Sequence, residues 1–126
     1  MKKGVYIFWG GIILVIVLSI GSSFFVTSGP SKYDGVAQCL KDKGAVFYGA
    51  FWCPHCRATK ALFGTASQYL PYVECSTPDG KGQNQICKDK GIESYPTWTF
   101  ANSTTTLTGE RTMAELAAIT GCELPL

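Results

Sequence analysis

The chain has little histidine: one residue in 126, at position 55. Charge of either sign is sparse beyond the N-terminus. Of eleven Lys and Arg, two are Lys2 and Lys3, which leaves nine against nine Asp and Glu over 32–126. A neutral body with no basic patch and no acidic tail offers nothing to nucleic acid. There is no internal repeat and no low-complexity tract. There is also no second Cys-x-x-Cys: eleven residues separate Cys75 from Cys87, so Cys53 and Cys56 lack the second close pair that a four-ligand zinc site needs. The run "AVFYGA", 45–50, carries no acid. No Ala-x-Ala pattern follows the apolar N-terminal run, "VTS" at 26–28 being a poor substitute, and no cysteine follows it closely. Both absences count against a cleaved leader and a lipidated N-terminus. At 126 residues there is room for one ordinary core and not for two.

Cysteine, by contrast, is plentiful and even in number, with six. That favours an oxidising compartment and a disulfide framework. Residues 1–26 read as a membrane anchor. Met1-Lys2-Lys3 precedes an uncharged stretch from Gly4 to Ser31, and Val5 to Val26 as a helix is about 33 Å long, enough for a bilayer core. Tyr6, Phe8 and Trp9 at one end, and Phe24 and Phe25 at the other, sit where interfacial rings lie. With Lys2 and Lys3 held inside, a single-pass anchor in the cell membrane puts the body outside the cytoplasm. A cleaved signal peptide, the competing reading, exports the body too. Residues 27–31, "TSGPS", form a short spacer, and 32–126 form the exported domain.

Within that domain Asp34 is expected to cap a helix that runs to about Lys43 and stops at Gly44. "AVFYGA" reads as a buried strand, and a helix is expected from Pro54 to Tyr69, proline suiting a first turn. "PYVEC", 71–75, is a second strand and Gln83 to Lys90 a short helix. "YPTWTF", 95–100, is a third strand, with Trp98 and Phe100 assigned to the core. Asn102-Ser103-Thr104 matches a glycosylation triplet, but Ala101-Asn102-Ser103 reads first as a turn into a fourth strand, 104–108. Thr112-x-x-Glu115 is a capping box for a last helix closed by Gly121. Alternation followed by a hairpin predicts an α/β fold, a mixed sheet flanked by helices.

The chemistry centres on Cys53-Pro54-His55-Cys56. A cysteine placed where a strand feeds a helix lies beside unpaired backbone N–H groups and the positive end of the dipole, which stabilise a thiolate. Cys53 takes that place as the exposed attacking thiolate, and Cys56, one turn on, is the sheltered thiol that resolves a mixed disulfide. His55 beside the thiolate favours the reduced form, and a stabilised reduced form makes an oxidising disulfide. Pro54 adds rigidity and has no N–H. The alternatives are a structural disulfide or a metal site on Cys53, Cys56 and His55. Trp52 serves either a substrate groove or packing, and Arg57 and Lys60 read as a solvated helix face.

A Cys-x-x-Cys that caps a helix after a strand, followed by a strand opening at Tyr95-Pro96-Thr97, resembles the thioredoxin superfamily. "YGAFWCPHC", "LFG" at 62–64, "YVEC" at 72–75, "GIESYPTW" and the closing "TGC" are more narrowly similar to the thioredoxin-like domain fused to bacterial and plant homologues of vitamin K epoxide reductase. The resemblance runs from about Ala37 to Cys122. It implies a thiol–disulfide oxidoreductase that oxidises exported proteins with free thiols and holds no cofactor. Pro96 matches the family's cis-proline, with Pro96 and the Tyr95 backbone expected to face the cysteine pair and pin an extended substrate. The fused form carries a quinone-binding membrane part. This chain has a single apolar span, so the resemblance implies a separate quinone-linked membrane oxidoreductase as partner. A reductase or isomerase of the same fold is the rival reading.

Cys39, Cys75, Cys87 and Cys122 permit three pairings. The fused family has a pair placed like Cys75 and Cys87, and that resemblance implies 75–87, leaving Cys39 to join Cys122. A shuttle role for Cys75 and Cys87 is the functional alternative.

Overall fold

The computed structural model describes residues 2–23 and 29–126, with side chains at 3–18 and 29–126. Phe24, Phe25 and the first two residues of the spacer lie outside the described residues. In chain order the elements are α1 (Lys2–Ser23), α2 (Asp34–Asp42), β1 (Ala45–Gly49), α3 (Pro54–Phe63), a 3-10 turn (Gly64–Tyr69), β2 (Tyr72–Glu74), α4 (Gln85–Asp89), β3 (Thr97–Phe100), β4 (Ser103–Thr108) and α5 (Met113–Thr120). Among the described residues no helix is long and apolar enough to cross a membrane; the described side chains of α1 end at residue 18.

The sheet order is β2-β1-β3-β4, with β1 parallel to β2 and antiparallel to β3, and β3 antiparallel to β4. This is the mixed sheet expected of the alternation. Because successive strand residues point to opposite faces, β1 feeds two cores at once. Ala45 and Phe47 join Val36, Leu40, Phe63, Trp98 and Leu116 in the larger cluster, while Val46 and Tyr48 pack with Cys75, Cys87 and Ile92 in the smaller one. Phe47 stacks on Trp98 at 4.6 Å and meets the Tyr72 ring edge-on at 5.1 Å, so the middle of the sheet is fixed by aromatic contact.

Several boundaries differ from expectation for local reasons. Asp34 is the first residue of α2 and not its cap. Tyr33 holds the cap position without a side-chain bond, and the Asp34 carboxylate accepts from the Ser31 N–H instead. The helix expected over 54–69 breaks at Gly64, whose φ of 56° a residue with a Cβ rarely adopts, and the chain tightens into the 3-10 turn. Helix α4 starts late because Ser76 and Gln83 form a β-bridge and the Asn84 side chain reaches back to the Glu74 and Ser76 carbonyls. The capping box at Thr112 and Glu115 is present, with Gly121 closing α5.

Candidate active site

Strand β1 ends at Gly49, and the chain turns so that the Cys53 N–H donates to the Ala50 carbonyl at 3.0 Å. Cys53 is then the N-cap of α3 and Pro54 opens the first helical turn. The helix has no backbone carbonyl for its first N–H groups, and the Cys53 sulfur takes one of them, accepting from the Cys56 N–H at 3.4 Å. The same sulfur lies 3.8 Å from the Tyr95 carbonyl. The peptide between Tyr95 and Pro96 is cis. The Tyr95 carbonyl, one residue before the cis-proline, thus lies beside the Cys53 sulfur.

The expectation of an exposed attacking thiol needs correction. Cys53 keeps 4 % of its surface and Cys56 1 %, so both thiols are buried and the asymmetry between them is small. The Tyr95–Pro96 segment accounts for this, because its carbonyl sits against Cys53 and Pro96 is itself fully buried. Both thiols are free. Burial, reinforced by the hydrogen bond with Cys53, pushes the Cys56 thiol up from 9.0 to about 12, with the nearby Lys60 charge opposing.

Beneath Cys56 lies a cluster that the sequence did not disclose. A Cβ on Gly49 would stand 2.8 Å from the Tyr72 ring and 3.0 Å from the Cys56 sulfur, so only glycine lets these groups close in. The Tyr72 hydroxyl donates to Glu74 at 2.8 Å, and Lys60 places its Nζ 3.3 Å from the centre of the Tyr72 ring. Burial and the Glu74 carboxylate push the Tyr72 phenol well above its ordinary range. Lys60 is therefore part of the site's surroundings and not merely a solvated face. Its spacing of four from Cys56 on one helix was the available signal.

His55 takes a different partner from the one anticipated. Its Nδ1 lies 2.5 Å from Glu110, in an exposed pair, and it makes no hydrogen bond to either sulfur. Glu110 is 55 residues away in sequence, and no local pattern marked it. Trp52 keeps 48 % of its surface open, yet it is held: its Nε1 donates to the Ser76 hydroxyl at 2.9 Å and its ring meets Tyr95 edge-on at 6.0 Å. It is a fixed, half-exposed wall beside Cys53.

The remaining cysteines form two disulfides, Cys39–Cys122 and Cys75–Cys87, with separations of 83 and 12 residues. Among the described residues no three His, Cys, Asp or Glu side chains are grouped to hold a metal.

A family model described as Thioredoxin matches residues 27–120. Over 105 residues the chain is 44 % identical to the thiol-disulfide oxidoreductase LTO1 of Arabidopsis thaliana, an alignment covering 79 % of this chain and 27 % of that protein. The chain thus spans about a quarter of that relative's length. Among solved structures, Malassezia sympodialis thioredoxin (Mala s 13) aligns with a TM-score of 0.44 at 23 % identity, covering 66 % of this chain and 81 % of the other. By its sequence match and its site, this chain belongs to the thioredoxin family.

Proposed function

We propose that this chain is a membrane-anchored thiol–disulfide oxidoreductase that acts outside the cytoplasm and donates disulfides to exported proteins. One observation carries the reading: a free Cys53–Cys56 pair at the start of α3, facing the Tyr95 carbonyl, while the other four cysteines are bonded to each other. The enzyme class is protein thiol–disulfide oxidoreductase, as family membership and the name of the 44 % identical relative agree.

In the oxidising direction a substrate thiolate attacks the Cys53 sulfur of the Cys53–Cys56 disulfide. The S–S bond breaks, its electron pair leaves on Cys56, and Cys56 takes a proton. A second substrate thiolate then attacks the substrate sulfur of the mixed disulfide, closing the substrate's own disulfide. Cys53 leaves as a thiolate next to the Cys56 N–H. Two electrons pass from the substrate dithiol to the enzyme pair. A mostly protonated Cys56 is slow to turn back on the mixed disulfide, which gives the substrate's second thiol time to complete the reaction. Pro54 fixes the turn between the two sulfurs, Tyr95 and Pro96 pin the substrate strand, and Trp52 forms one wall of its groove.

The similarity to the domain fused to vitamin K epoxide reductase homologues supports a quinone-linked membrane oxidoreductase as the reoxidising partner. Helix α1 supports anchoring: its side chains from Val5 to Trp9 and from Ile12 to Leu18 are apolar and exposed, which leaves no polar face for water. We assign 1–26 to the anchor, 27–31 to the spacer and 32–126 to the catalytic domain.

A reductase or isomerase is the second reading, and the His55–Glu110 pair favours it, because the carboxylate offsets the positive charge that helps a reduced pair. A metal-binding module has less support, since His55 is turned to Glu110. The Cys53/Cys56 reduction potential, measured against glutathione, separates the directions. An oxidase is expected well above the roughly −270 mV of thioredoxin, and a value at or below it makes the chain a reductase. Cys56→Ser in cells is expected to trap mixed disulfides on Cys53, both with exported proteins and with the membrane partner. A total absence of adducts removes the exchange mechanism. Protease added outside intact cells is expected to digest 32–126 while the N-terminus stays in the membrane; a mature chain starting near residue 29 overturns the anchor.

A further inference from the structure

We propose that the loop closed by Cys75–Cys87 is a specificity frame for Cys53: through Ser76 and Gln83 it holds the two walls, Trp52 and Tyr95, between which a protein thiol must enter. The proposal rests on the exchange reading above.

Tyr95 packs against both hydrophobic clusters, but the wall on the Trp52 side is not held by the core. Phe51 and Trp52 keep 51 % and 48 % of their surface exposed, too much for packing alone to fix them. The loop adds a hydrogen-bonded restraint on each side. On one side, the Ser76 hydroxyl accepts from Trp52 Nε1 at 2.9 Å. A Cβ on Gly80 would lie 3.6 Å from both the Phe51 and the Trp52 rings. Glu74, immediately before the loop, accepts from the Phe51 and Ser76 N–H groups through one oxygen, at 3.2 and 2.9 Å. On the other side, Gln83 Nε2 donates to the Tyr95 hydroxyl at 2.8 Å and to the Ile92 carbonyl at 2.6 Å. Tyr95 is the residue whose carbonyl faces the Cys53 sulfur.

The two holding residues are tied to each other. Ser76 and Gln83 pair in a β-bridge, Asn84 bonds the carbonyls of Glu74 and Ser76, and the disulfide closes the base with both sulfurs buried. The base is joined to β1 as well, since the Cys75 N–H donates to the Gly49 carbonyl at 2.7 Å. The shape of the loop therefore sets where Trp52 stands relative to Tyr95. The walls they form suit an extended polypeptide with an apolar side chain beside its cysteine. A small thiol reaches Cys53 without needing either wall.

The test compares the full-length wild type with Ser76→Ala, Gln83→Ala and a Cys75→Ala/Cys87→Ala double variant. Each is assayed for oxidation of a reduced, unfolded protein and, separately, for reaction with glutathione. In Ser76→Ala and Gln83→Ala, KM for the protein is expected to rise about three- to tenfold with kcat little changed, the loss of one wall hydrogen bond each. The double cysteine variant is expected to lose about tenfold or more in kcat/KM for protein while glutathione still reacts. Equal losses toward protein and glutathione, or no loss toward either, overturn the frame. Ser76→Ala and Gln83→Ala retain both disulfides, so they decide the matter if the double variant does not fold. A wild type that reacts with glutathione but not with protein removes the functional reading itself, and the frame with it.

Discussion

Cys56 and Lys60 stand one helical turn apart on α3, and the Tyr72 ring holds the lysine there. A thiol pushed up to about 12 is almost entirely protonated at neutral pH, and its thiolate fraction grows tenfold with each pH unit below that value. Attack by Cys56 on a mixed disulfide at Cys53 is therefore expected to accelerate continuously through pH 7 to 10, with no plateau near neutrality. Stopped-flow release of a chromophoric thiol from that mixed disulfide measures it, and a plateau below pH 9 contradicts the buried-thiol account. Lys60→Met removes the charge that favours the thiolate and is expected to slow the step about three- to tenfold at every pH in that range. At the other exposed end of the motif, Glu110→Gln leaves His55 without its counter-charge. The reduction potential of the pair is expected to rise by roughly 5–20 mV, the size of an exposed ion pair, and salt is expected to shrink the difference. A fall in potential contradicts the role given to the histidine.

At the scale of elements, the capping box of α5 is a local device with a local signature. Thr112 accepts from the Glu115 N–H at 3.1 Å, and Glu115 accepts from the Thr112 N–H at 2.8 Å. Thr112→Ala is expected to lower stability by about 1 kcal/mol, read from urea unfolding. The Thr112 N–H and hydroxyl hold the Glu115 carboxyl below its ordinary range of 4.5. A depressed acid stabilises the fold above its unfolded value and loses that contribution as pH falls through the folded one. The Thr112→Ala deficit is therefore expected to shrink below pH 4.5, and a deficit unchanged down to pH 3 argues against the box. Such devices are legible because donor and acceptor are three residues apart. So were β1, β3 and Pro54 at a helix start, each marked by composition over a handful of positions. The break in the helix at Gly64 was less so, since a glycine there reads equally as a tolerated interior residue. The contacts that shape the site were not legible at all. Trp52 meets Ser76 across 24 residues and His55 meets Glu110 across 55, and only the packing of the sheet brings them within reach. The same blindness placed Lys60 on a solvated face, because nothing local announced the Tyr72 ring above it.

For the whole molecule, the two disulfides divide the labour unequally. Closing 83 residues restricts the unfolded chain more than closing 12: about 4.5 kcal/mol for Cys39–Cys122 against about 3 kcal/mol for Cys75–Cys87 on chain entropy alone. Replacing both cysteines of the first pair with alanine is expected to lower the unfolding midpoint further than replacing both of the second. The reverse order indicates that native contacts of the short loop outweigh its chain entropy. The long bond also decides how the domain bears tension. Cys39 lies in the second half of α2 and Cys122 just after α5, so a pull between an N-terminal tether and the C-terminus runs through the sulfur bridge and bypasses the sheet. With the bridge closed, only the short segments outside 39–122 extend under load. Once it is opened, roughly 280 Å of chain can be drawn out, at about 3.4 Å per residue over the 83-residue separation. In an optical trap the oxidised domain behaves as an inextensible link, and its active site is mechanically insulated from whatever pulls on its ends.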